Sequence, residues 1–99
     1  MAQNTMLLRN GSSTGDWEEW LGGEGCFVVG GDFTGGGSVS LEIWPNGFPE
    51  ANAVDGGSSL TFSANGAASF TMIPPCKVRA KVTGTIAGVY AMVGTGEQD

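Results

Sequence analysis

The chain has no histidine, only four basic residues, and no apolar run long enough to cross a bilayer in its 99 positions. Without histidine, acid–base catalysis and nucleophile activation would fall to carboxylates, lysine or cysteine, and the chain reads as non-enzymatic. Four Lys and Arg against ten Asp and Glu give a formal charge of −6. Nucleic acid and anionic membranes are therefore poor partners, because both recruit positive side chains. Charged residues make up only 14% of the chain, which is little for an exterior that must stay hydrated, so part of it is expected to be covered by other subunits. Met1-Ala2-Gln3-Asn4 carries no basic segment leading into an apolar stretch, and synthesis in the cytoplasm is expected. Only Cys26 and Cys76 are available for a disulfide. With no export signal, buried free thiols are the expectation.

Site chemistry is sparse as well. Glu18 and Glu19 are neighbours in sequence and point to different sides of either element type, which is poor geometry for a shared catalytic task. Asp32 and Asp55 lie among glycines, but Ca²⁺ needs six or more oxygen ligands and no Asp-rich spacing supplies them. The glycine runs at 22–25, 30–31 and 35–37 precede no helix and no Lys-Ser or Lys-Thr, so they read as turns rather than a phosphate cradle. Asn10-Gly11-Ser12 formally matches a glycosylation sequon and likewise reads as a turn. No metal or cofactor is expected.

What the chain does have is glycine, 18 residues of it, between short stretches of Val, Ile, Phe, Thr and Ser. Short strands joined by tight turns are expected, about seven or eight of them. The fold class is all-β, an antiparallel β-sandwich or flattened barrel. Residues 1–99 form one domain with short flexible termini at about 1–4 and 94–99. Thr5 to Arg9 reads as the first strand, and Asp16 to Leu21 as a short strand or loop. Gly25 to Phe33 contains Cys26-Phe27-Val28-Val29, a run expected to be covered on both faces. Ser38 to Trp44 alternates, with Val39, Leu41 and Ile43 on one side, and makes the best hairpin with Gly25 to Phe33. Pro45-Asn46-Gly47-Phe48-Pro49 is a turn, and Ala51 to Val54 a short edge strand. Asn65-Gly66 is expected to close a type I′ hairpin between Ser59–Ala64 and Ala67–Ile73, placing Leu60 and Phe62 beside Phe70 and Met72. Cys76 to Val82 alternates again, and Val89 to Val93 is the last strand.

Two sets of residues are candidates for contact with a partner. Lys77, Arg79 and Lys81 project from one side of one strand while ten acidic groups are scattered elsewhere. That stripe is either a solvated face or a complement to an acidic surface. Trp17, Trp20 and Trp44 are apolar anchors for a subunit contact or core residues. Together with Tyr90, an exposed row of them would alternatively stack on sugar rings in a carbohydrate-binding module.

Leu60 through Phe70, the proline break, Val78 through Thr85 and Gly88 through Ala91, preceded by Gly25 through Phe33 and Val39 through Ile43, resemble the small β-sandwich virion proteins of tailed bacteriophages, most of all head decoration or cement proteins. The resemblance covers about two thirds of the chain and consists of turn-and-strand patterns. It implies a non-enzymatic virion component on the capsid exterior, bound to the major capsid protein or other virion subunits and often a homotrimer. Lys77, Arg79 and Lys81, with Trp17, Trp20 and Trp44 as apolar anchors, are the expected contact residues on this reading. A tail or fibre component of the same particle is the alternative.

Overall fold

Strands that alternate apolar and polar residues bury one face and wet the other, and here two such layers close on each other. A computed structural model describes residues 4–95, apart from the side chains of Met72 and Ile73. Among the described residues there are nine strands: β1 (Asn4–Gly11), β2 (Glu18–Trp20), β3 (Gly23–Asp32), β4 (Ser38–Pro45), β5 (Val54–Asp55), β6 (Thr61–Phe62), β7 (Gly66–Ile73), β8 (Cys76–Thr83) and β9 (Ala87–Gly94). Sheet A runs β1-β9-β3-β7, and sheet B runs β2-β8-β4-β5 with β6 also pairing with β4. Every pairing is antiparallel. The expected antiparallel sandwich is thus formed, with nine strands rather than seven or eight. The molecule measures 35 × 34 × 21 Å, its short axis being what two sheets about 10 Å apart and their outer side chains fill. Its two broad surfaces are the outer faces of the sheets.

The core draws on both layers. Phe27, Val89 and Val93 of sheet A and Val39, Leu41 and Val78 of sheet B are all completely buried, each such side chain contributing roughly 1.5–3 kcal/mol. At one end Trp20 meets Phe70 edge-on, with centroids 5.3 Å apart. Gly25 makes this approach possible, since a Cβ there would lie 2.7 Å from both rings.

The connections differ most from expectation. Apart from β4, β5 and β6, which stay in one sheet, consecutive strands cross between the sheets: β1, β3, β7 and β9 belong to A, and β2, β4, β5, β6 and β8 to B. The anticipated hairpin of β3 with β4 is therefore absent. Residues 33–37 instead form an arch, anchored where the Gly37 amide donates to the Thr85 carbonyl at 2.9 Å. A Cβ on Gly37 would lie 2.5 Å from that oxygen. The Asn65-Gly66 hairpin is absent for the same reason: β6 pairs with β4, and β7 with β3. The Asn65 side chain accepts a hydrogen bond from the Gly31 amide at 2.8 Å, which ties the crossing segment to sheet A. Phe62 packs on Phe27 at 5.8 Å rather than on Phe70; the Met72 side chain, expected beside it, lies outside the described residues.

Smaller departures follow from local chemistry. β1 continues through Asn10, at φ 54°, to Gly11 instead of turning there. Residues 51–54 hold no continuous strand: a single 3-10 turn, Glu50–Asn52, precedes β5. The Pro45–Pro49 turn forms as expected, with Gly47 at φ 92° and the Phe48 amide bonded to the Pro45 carbonyl. Asn4 and Gly94, assigned to flexible termini, face each other in the β1–β9 ladder. The remainder of those segments, 1–3 and 96–99, lies outside the described residues.

Candidate functional site

The predicted contact residues sort into two groups. Trp20 is 1% exposed and belongs to the core, so it presents no surface to a partner. Its Nε1–H has no hydrogen-bond partner among the described residues, an arrangement that costs about 1–3 kcal/mol. The other five meet on the outer face of sheet B or beside it. Alternation along β8 sends Cys76, Val78 and Ala80 inward, fully or almost fully buried, and so turns Lys77, Arg79 and Lys81 outward.

There the cations interleave with the tryptophans. Lys77 Nζ sits 4.9 Å from the ring centroid of Trp44, the Arg79 guanidinium lies 4.3 Å over Trp17, and the two rings meet at 5.5 Å. Each indole is also fixed by its N–H, Trp17 to Glu50 Oε2 at 2.8 Å and Trp44 to the Phe48 carbonyl at 2.6 Å. Arg79 Nε donates to Glu42 Oε1 at 2.5 Å, and Glu19 stands opposite Lys77 in the ladder.

The acidic groups are therefore not all elsewhere, as the sequence suggested. Glu19, Glu42 and Glu50 gather around Lys77 and Arg79, and Asp55 stands opposite Glu42 in the ladder. Only Lys81, exposed and opposite Ser40, stands beyond this network. Nor do the tryptophans form the open row a sugar platform would need, because Trp17 and Trp44 are half-buried and covered by cations.

The outer face of sheet A is different, and periodicity within single strands does not reveal it. The register places Met6, Met92, Val28 and Ala67 in one line across all four strands, a strip roughly 15 Å wide at about 4.8 Å per strand. Val28 is 41% and Tyr90 48% exposed. Tyr90 faces Gly30 across the ladder, and the missing side chain at Gly30 leaves room for a shallow apolar groove of about 600 Å³ beside the strip. The run Cys26-Phe27-Val28-Val29, expected to be covered on both faces, is covered on one: Phe27 and Val29 are buried, while Val28 faces out. The shared phase of Val28, Tyr90 and Met92 on their strands was the available signal. It becomes a surface only when the ladder partners are known.

The cysteines are both free. Cys76 is buried between Trp20 and Pro45 in the ladder, whereas Cys26 is half-buried on β3. Burial, and after it the Glu19 carboxylate, pushes the Cys76 thiol up to about 11. Asp32 accepts from the Thr34 hydroxyl at 2.7 Å and the Thr34 amide at 2.9 Å. These bonds, the hydroxyl first, hold its carboxyl below the usual range and cap the turn after β3. Among the described residues no three His, Cys, Asp or Glu side chains gather as metal ligands, and no helix is long and apolar enough to cross a membrane. Comparison of the chain with protein-family models, with curated proteins and with solved structures finds no match.

Proposed function

We propose that the chain is a structural subunit of a virus particle, a decoration or cement protein that binds the outside of the assembled capsid and reinforces it. The observation that carries this reading is the uncharged strip Met6-Met92-Val28-Ala67 with Tyr90 beside it, a continuous apolar surface on a chain of net charge −6. Apolar contiguity of this kind is typical of surfaces buried on assembly. The partner it fits is a shell subunit with an apolar ridge and a neutral or basic rim, since acidic surroundings would be repelled. Lys81, exposed at the end of the β8 row on the opposite broad face, points away from the shell in this orientation.

The clamp works by linkage. Binding the assembled shell and not its unfolded or immature forms stabilises the former by RT ln(1 + [L]/Kd) per site. Imaging of purified particles tests the proposal. Many copies over seams between shell subunits, with sheet A turned inward, are the expected result. Localisation on the tail supports the tail reading instead, and absence from particles overturns both.

A further inference from the structure

A sandwich of two open sheets has four free edges, and unpaired edge N–H and C=O groups invite other strands unless something blocks them. Three edges of this molecule are blocked. β1 shifts register twice against β9 and carries Arg9. β2 is three residues long and contains Glu18 and Glu19. On the far side of sheet B, β5 and β6 are two residues each, and β5 includes Asp55.

The fourth edge is bare. β7, Gly66–Ile73, runs for eight residues with no charge and no proline, and Ala67, Ser69 and Thr71 are exposed along it. Beyond the strand ladders, no backbone hydrogen bond among the described residues involves it. Its pairing with β3 is regular from Gly66 to Phe70, and the extra residue that shifts the register falls after Phe70. The pairable stretch is thus Gly66–Phe70. The apolar strip of sheet A ends on this stretch, at Ala67.

We propose that β7 is a self-association edge, pairing antiparallel with β7 of a second copy of this chain. A two-fold axis brings like against like, which charged edges would oppose and this uncharged one does not. Two four-stranded sheets become one of eight strands, and the Met6-Met92-Val28-Ala67 strips of the two copies join into one band. The symmetry is two-fold, in contrast to the three-fold arrangement implied by the resemblance. The inference does not depend on the virion reading. A five-residue pairing is a small contact, so the dimer is reversible and concentration-dependent.

The test is sedimentation of the full chain over a concentration series up to about 1 mM, the weak end of specific association, with amide hydrogen exchange read at the same concentrations. The expected result is a monomer–dimer equilibrium in which added protection falls on alternate amides of Gly66–Phe70. Ser69→Lys is expected to weaken association at least tenfold with an unchanged circular dichroism spectrum. Ser13→Lys, which adds the same charge on an exposed loop, is expected to leave it unchanged. A monomer at every concentration, a trimer, equal effects of the two lysines, or concentration-dependent protection elsewhere than β7 would overturn the proposal.

Discussion

Single atoms set tight limits at several positions. Gly25 lies where Trp20 and Phe70 converge from the two layers, 2.7 Å from either ring if a Cβ were added. Both rings are held in the core, so Gly25→Ala is expected to destabilise the fold by about 1–3 kcal/mol, the usual range for overpacking, measured by chemical or thermal unfolding. The two cysteines give a second test. Cys76 is 1% exposed and its thiol is raised to about 11, whereas Cys26 is half-buried and reaches solvent. At neutral pH a thiol reagent is therefore expected to label Cys26 in the native chain and Cys76 only after unfolding. The unfolded thiol ionises near its ordinary value of 9.0 while the folded one stays protonated to about 11. The unfolded state thus binds fewer protons in this window, and stability falls as pH rises from 9 to 11. Cys76→Ala is expected to flatten that part of the stability profile relative to wild type.

At the scale of elements, β8 and β4 carry the most legible pattern and the most extensive polar network. Arg79 is held by a carboxylate and an indole at once, and Glu42 is only 12% exposed. Arg79→Ala is expected to cost about 1–2 kcal/mol by leaving that carboxylate unpaired, a figure reduced for the partial exposure of the pair. A double-mutant cycle with Trp17→Ala is expected to show coupling of about 0.5–1 kcal/mol. Arg79→Lys recovers only part of the loss, because an ammonium cannot lie flat on the ring while donating to Glu42. Period-two alternation makes Val39 and Leu41, and Cys76, Val78 and Ala80, recognisable as inward-facing from the sequence alone. It also turns Lys77, Arg79 and Lys81 outward correctly. It does not reveal that Glu19, Glu42 and Glu50 reach the same face, because each arrives from another segment.

At the scale of the whole molecule, the two broad faces have different chemistry: a charged aromatic stack on sheet B and an apolar strip on sheet A. Val28→Asp is expected to lower retention on particles at least tenfold, about 1.4 kcal/mol. Its side chain is 41% exposed on a central strand, so a stability cost of about 1 kcal/mol is expected, too small to unfold the chain. Retention lost in step with folding would count against the strip as a docking surface. Lys81→Ser, on the face turned away from the shell, is expected to leave retention and its salt sensitivity unchanged, and a loss of both would show that sheet B docks instead. The sequence by itself determined the class of fold, the inward residues of its regular strands and the position of turns such as Pro45–Pro49. These depend on alternation and on backbone preferences within a few residues. Tertiary structure alone decided which strands pair, since β3 and β4, or β6 and β7, adjoin in sequence yet enter different sheets. Hydrogen-bond ladders are indifferent to sequence distance once the core is buried, and only that long-range pairing brings Met6, Met92, Val28 and Ala67 onto one line.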